Sequence, residues 1–217
     1  MDHYGSLPVL IRAMKKFYLT LLLALVCVPA ALAQFRWGVM AGFNYQKYNF
    51  KQDLIKVDAS PGFSAGVMGE LMFPGIGFGM DFGLNYEMHG SRLHLGDQVV
   101  WASDGYGTEQ SYIHLIQIPI NLRFKYTRLN GVEQKIAPFV FGGPVFNIQC
   151  GHNSVPALEY SSGSIGVQAQ IGAELFQKFQ ISGGYIWDFT YEARTRKLEN
   201  FSQHPSGWTI KAVYFFK

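Results

Sequence analysis

A period of two residues runs through nearly the whole chain from Gln34 onward, and it limits the fold more than any other feature. Trp37, Val39, Ala41, Phe43 and Tyr45 alternate with Gly38, Gly42, Asn44 and Gln46. Phe63, Ala65, Val67, Leu71 and Phe73 oppose Ser64, Gly66 and Glu70. Phe78, Met80, Phe82, Leu84, Tyr86 and Met88 oppose Asp81, Asn85, Glu87 and His89. Ile116, Ile118, Ile120, Leu122, Phe124 and Tyr126 oppose Gln117, Asn121, Arg123 and Lys125. "APFVFGGPVFNI" is less clean because of Pro138 and Pro144, and Phe139, Phe141 and Val145 are placed on its apolar face. Three more runs follow. Ile165 to Leu175 alternates with Gln168, Gln170 and Glu174; Phe179 to Tyr191 with Gln180, Ser182, Asp188 and Glu192; Trp208 to Phe216 with Thr209 and Lys211. Alternation of this kind marks strands with one face apolar and the other polar.

The connections also alternate. Long segments near 50–61, 90–110, 149–163 and 194–206 are separated by "PGIG" at 74–77, a medium segment at 127–134 and a near-direct turn at Gln177-Lys178. Long outer loops, short turns and strands of about ten residues are the rhythm of a transmembrane barrel. A soluble barrel alternates too, but it needs charge on its outer face. Here one face is almost free of charge and ends in Trp, Tyr and Phe, which suits hydrocarbon flanked by two interfaces. Lys47 and His114 are exceptions near strand ends, within reach of the interface. The expected fold is all-β: an eight-stranded antiparallel up-and-down transmembrane β-barrel. An interior of that size is filled by side chains.

The segment "MKKFYLTLLLALVCVPAALAQ" has a basic start, a short apolar stretch and Ala31-Leu32-Ala33 as a cleavage site. It predicts a signal peptide over 1–33, with 1–13 either an over-extended start ahead of Met14 or a long n-region, and a barrel domain over 34–217. Cleavage leaves Cys150 as the single cysteine, so no internal disulfide forms. The net charge of +3 and the lack of a mature basic run argue against nucleic acid.

"LIQIPINLRFKY" is similar to the Ile-Pro-Leu strand of the PorT-like outer-membrane β-barrels of Bacteroidetes. "FRWGVMAGFNY", "GLNYEMHGSR", "APFVFGGPVFNI" and "GWTIKAVYFF" resemble the same pattern in the same order, across essentially the whole mature chain. The resemblance implies a small barrel in the bacterial outer membrane, in a family whose namesake is linked to protein secretion. This chain departs from the barrel habit of ending on an aromatic, because Lys217 follows Phe216.

Glu70, Asp81, Arg123, Lys125 and Glu174 fall at similar depth inside such a barrel, and Glu87, Asp188 and Lys211 join the inward polar set. Buried charges must pair, which favours a structural ion network over a ligand site, with Lys211 paired to Asp188 or Glu174. Pro119 cannot donate a ladder bond, so a bulge or kink is expected there. Ser111, His114 and Glu109 would be the nucleophile, base and acid of a lipid-modifying enzyme, but their spacing is not diagnostic. "HGSRLHLGD", with His89 and His94 near the outer rim, is weak as a metal site. No cofactor is called for. Trp101, Tyr106, Tyr112 and Tyr160 are the loop binding candidates, since loops on a rigid scaffold carry binding. The expected partners are outer-membrane lipid and envelope proteins. The role read from these residues is structural or binding, not catalytic. The rival readings are a lipid-modifying enzyme and a soluble periplasmic barrel holding a hydrophobic ligand.

Overall fold

The computed structural model describes residues 34–51, 54–75, 77–126, 131, 134–197 and 202–216. The expected signal peptide over 1–33 lies outside the described residues. Eight long strands form the barrel wall: β1 Gln34–Phe50, β2 Lys56–Met72, β3 Phe78–His94, β4 Thr108–Lys125, β5 Ile136–His152, β7 Gly163–Leu175, β8 Phe179–Asp188 and β10 Ser202–Phe215. Each pairs antiparallel with its neighbours, and β1 pairs with β10 through Gly38↔Phe215 to Phe50↔Gln203, so the wall closes on itself. Closure removes every free edge, the condition a sheet must meet in lipid. Two short strands, β6 Leu158–Tyr160 and β9 Ala193–Thr195, pair with each other, and β9 pairs with the start of β10. They form a flap at the long-loop end. Among the described residues no helix is long and apolar enough to cross a membrane; the strands cross it.

The outer wall is apolar. Leu122 is 67% exposed and Ile171 71% exposed. This is incompatible with a soluble barrel whose apolar side chains line the interior. Rings cluster at two levels. At the short-turn end Trp37 meets Phe216 at 4.6 Å, Phe78 meets Phe124 at 4.9 Å and Phe179 meets Tyr214 at 4.8 Å. At the other level Tyr185 lies 4.8 Å from Trp187 and 5.1 Å from Trp208, and Phe63 lies 5.7 Å from Tyr86. Two girdles bounding an apolar band are what the two interfaces select.

Several wall strands are longer than the ten or so residues expected. β1, β2, β3 and β5 have 17 each and β4 has 18. A strand of that length spans roughly 56 Å, more than a tilted crossing of a band about 25 Å tall needs. The surplus stands above the outer girdle, and there the pattern inverts: Leu93, Ile113 and Leu115 point inward while Arg92 and His94 point outward. That stretch obeys the rule of a soluble barrel, so the lipid-facing alternation ends well before the strands do.

Pro119 is accommodated without the expected bulge. β4 keeps one register against β3 from His94↔Thr108 to Phe78↔Phe124, and only the pairs opposite Ile118 and Pro119 drop out. The missing donor costs local ladder bonds instead of an inserted residue. The register shifts lie elsewhere, between Ser60 and Phe63 of β2 and beside His114 and Leu115 of β4. Both are near the outer girdle. The one in β2 brings Val57 inward to the mouth. At the opposite end, Phe176 and Gln177 make the β7–β8 turn at φ 52° and 58°. That is the left-handed region a two-residue hairpin turn uses, and Arg36 Nη1 holds it by donating to the Gln177 carbonyl at 2.7 Å.

Candidate functional site: a plugged lumen and a capped mouth

The inward faces meet in three tiers. The lowest, at the short-turn end, is ionic. Arg123 Nε donates to Asp81 Oδ2 at 2.7 Å, and its Nη1 lies 2.8 Å from Gln180 Oε1 and 3.0 Å from Glu70 Oε2. Lys125 Nζ reaches Glu70 Oε1 and Glu174 Oε2, both at 2.8 Å. Arg36 pairs with Glu70 at 2.7 Å and also with Glu174. Gln180 Nε2 donates to both Glu70 and Glu174, at 2.7 and 2.8 Å. Three cations thus face three carboxylates. Cross-strand register sets this: Arg36↔Glu70, Glu70↔Asp81 and Glu174↔Gln180 are direct partners. Below the tier a depression of about 650 Å³ opens toward the short turns, lined in part by Gln34, Arg36, Lys178 and Phe215.

The Arg123 guanidinium lies 4.2 Å from the Phe139 ring centroid and 5.1 Å from that of Phe141. These rings therefore face the lumen, and so does Val145, which is fully buried. The expected apolar face of β5 is reversed; Val140, Phe146 and Ile148 face lipid instead. Both faces of β5 are apolar, so its parity is silent. The physical reason for the inward rings is the cation beside them, whose charge is stabilised over an aromatic face.

The middle tier is an amide and hydroxyl relay. Ser182 Oγ donates to Gln170 Oε1 at 2.9 Å, Gln170 Nε2 to Gln168 Oε1 at 2.9 Å, and Gln168 Nε2 to Asn121 Oδ1 at 3.0 Å. Lys211 Nζ donates to Gln168 Oε1 at 3.0 Å. It pairs with neither Asp188 nor Glu174. Both carboxyls are taken up by other partners, Asp188 in the upper tier and Glu174 in the lower.

The upper tier is acidic. His89 Nε2 meets Glu192 Oε2 at 2.8 Å and its Nδ1 lies 3.4 Å from Glu87 Oε1. Gln46 Nε2 donates to Glu87 Oε1 at 2.7 Å. Ser164 Oγ lies 2.9 Å from Asp188 Oδ2 and 2.8 Å from Glu192 Oε1. Asn147 Nδ2 donates to Ser164 Oγ at 2.9 Å and to Asp188 Oδ2 at 3.1 Å. A methyl group at Gly166 would collide with Asp188 Oδ1, so the close fit there requires glycine. Glu192 stands outside the wall strands yet is 1% exposed, inserted into the mouth from the loop above β8. Burial pushes its carboxyl up, but the charge and hydrogen bond of His89 outweigh this and hold it below the usual range.

An apolar cap closes the mouth. Tyr48, Leu93, Ile113 and Leu115 from the wall pack with Ile55, Leu95, Trp101, Val155, Ala157 and Leu158 from the loops. Trp101 sits on a one-turn helix, α1 Val99–Ala102, and is 1% exposed. It packs inward and offers no binding surface. Tyr106 lies against the same cluster, and Tyr112 belongs to β4, its backbone N–H donating to Asn153 Oδ1 at 2.6 Å. The Tyr160 hydroxyl lies 3.1 Å from Ser111 Oγ, and burial raises its pKa. The apolar loop residues left exposed include Val99 at 83%, Val100 and Leu54, with Phe189 and Tyr191 in the loop after β8.

Ser111 faces inward between the Tyr48 and Tyr160 hydroxyls, while His114 faces outward and bonds the Tyr86 hydroxyl at 2.6 Å. The two lie on opposite faces of β4, so they make no nucleophile–base pair. His89 and His94 are likewise split: His94 bonds Asp58 Oδ2 at 2.8 Å on the outside. Among the described residues no three His, Cys, Asp or Glu converge as metal ligands would.

The lumen residues that sequence reasoning passed over are Arg36 and Gln180 below, and His89 and Glu192 above. Parity put Gln180, His89 and Glu192 on the polar face; nothing in the sequence said that Glu192 folds back into the mouth.

Solved structures resemble the chain at low identity. Neisserial surface protein A shares 12% identity with a TM-score of 0.47, over 83% of this chain and 97% of that one. The outer membrane protein OprG from Pseudomonas aeruginosa shares 10% with a TM-score of 0.48, over 84% and 94%. Ail, the attachment invasion locus protein of Yersinia pestis, shares 12% with a TM-score of 0.42, over 84% and 99%. No curated protein matches the chain. The family profile described as outer membrane protein beta-barrel domain matches residues 30–199, well over half of the chain. The chain belongs to the outer membrane protein beta-barrel domain family.

Proposed function

We propose that this protein works through its extracellular surface, as a structural or binding element of the bacterial outer membrane, and that its lumen conducts nothing. The observation that carries the reading is the filled interior: an ionic tier, an amide relay, an acidic tier and an apolar cap stacked end to end. Val99, Val100 and Leu54 give the partner-facing surface, because their neighbours Trp101 and Ile55 anchor them in the cap core. Export by the segment over 1–33 and membership of an envelope or secretion complex, as the PorT-like resemblance implies, belong to the same proposal.

The test is to insert the refolded protein into planar bilayers and record current. No sustained conductance steps are expected at neutral pH; a stable open channel overturns the reading. Cross-linking from position 99 in intact cells then identifies what the surface touches. A lipid-modifying activity on Ser111, His114 and Glu109 is disfavoured by the split across β4.

A further inference from the structure

The charges inside the barrel do not balance tier by tier. The lower tier is neutral, with Arg36, Arg123 and Lys125 against Glu70, Asp81 and Glu174. The upper tier sets Glu87, Asp188 and Glu192 around the single imidazole of His89. With His89 charged and Lys211 counted from the tier below, one negative charge is left over among the described residues. A buried charge without a partner is costly, so something must neutralise it.

The geometry locates the deficit. Asp188 and Glu192 both contact the one Ser164 hydroxyl, which has a single proton to give. Asp188 Oδ1 is buried and accepts no hydrogen bond, and unlike Asp81 the carboxyl has no cation against its other oxygen. No three acidic or imidazole groups among the described residues converge as a metal would need. We propose that one proton, shared by Asp188 and Glu192 across Ser164, latches the extracellular cap onto the barrel, and that its loss releases the cap.

Glu192 couples this proton to the flap. Its backbone N–H donates to the Gln203 carbonyl at 3.3 Å, and its carbonyl accepts from Ser161 N–H at 2.8 Å. The next residue, Ala193, pairs with Tyr160 of β6 and Gln203 of β10. β6 in turn places Leu158 in the apolar cap. With the proton gone, the extra charge repels Glu192 from the mouth, and three-residue strands resist weakly. The ionisable groups facing the cluster are Tyr48 from β1, Glu87 and His89 from β3, Tyr160 from β6, Asp188 from β8 and, deeper, Lys211 from β10. β4, β5 and β7 contribute neutral side chains, Ser111, Asn147 and Ser164, and β2 sets Gly62 beside His89.

The test is hydrogen exchange of the full chain in lipid vesicles, followed at the amides of 158–160 and 193–195 from about pH 6 to about pH 10. Protection, corrected for intrinsic exchange, is expected to fall about tenfold per pH unit over the range where the latched state holds the proton and the released state does not, and to level off once the latched state loses it as well. Asp188→Asn is expected to keep heat-modifiable gel migration and give a flat profile. Glu192→Gln balances the tier without the shared proton and is expected to be flat as well; it decides the matter if Asp188→Asn does not fold. A flat wild-type profile, or a wild-type slope in the folded variants, overturns the latch. So does recovery of protection at high pH on adding calcium, which would make the neutralising species a metal cation. None of these outcomes bears on the closed-lumen reading, which is tested by conductance at neutral pH.

Discussion

Arg123 ties the lower tier to the aromatic wall of β5. It is fully buried against Asp81, Glu70, Gln180 and two phenyl rings. Arg123→Ala leaves Asp81 without its cation and is expected to cost about 3–5 kcal/mol, the range for breaking one side of a buried pair. Denaturant unfolding in lipid vesicles measures it. Arg123→Ala combined with Asp81→Ala should cost less than the two single losses together, because the stranded carboxylate is gone. An unchanged midpoint in Arg123→Ala would mean that the network does not hold the barrel. At this scale the sequence was informative where parity was clean: Glu70, Asp81, Arg123, Lys125 and Glu174 all lie in one tier. It was silent on Phe139 and Phe141, since an apolar residue on a strand with two apolar faces carries no sign of which way it points.

Among the elements, the wall strands have a definite lipid face. Ile171 lies within the apolar band of β7, and Ile171→Arg is expected to destabilise the barrel by about 2–4 kcal/mol. Arg in place of Ser206, next to Trp187 above the band, should cost no more than about 1 kcal/mol. Unfolding in vesicles compares the two, and equal costs would contradict the placement of the band. The number and order of the wall strands were legible because alternation follows directly from the pleat. Their upper ends were not, because above the outer girdle water replaces lipid and the apolar side chains turn inward at Leu93, Ile113 and Leu115. Pro119 teaches a related lesson. Its missing donor was certain from sequence, but whether the sheet answers with an inserted residue or with lost pairs depends on both neighbouring strands.

For the whole molecule, the cap and the barrel are separable layers. Trp101→Ala opens a large cavity in the cap core, a loss of about 3–5 kcal/mol where such a ring is fully buried. That loss is expected to loosen the loops while the closed wall persists. The check is faster exchange in 95–107 and 153–160 with unchanged heat-modifiable migration; loss of the folded band would make cap and wall one cooperative unit. The sequence by itself determined a closed apolar-walled barrel and the lipid face of every wall strand whose two faces differ in polarity, β5 being the exception, because a period of two and the demands of a bilayer leave few alternatives. Only the tertiary structure decided what the lumen contains at each depth. Arg36, Glu192 and Trp101 reach their sites by register, by a loop folding back and by a one-turn helix. Those contacts join residues far apart in the chain, and nothing in local periodicity encodes them.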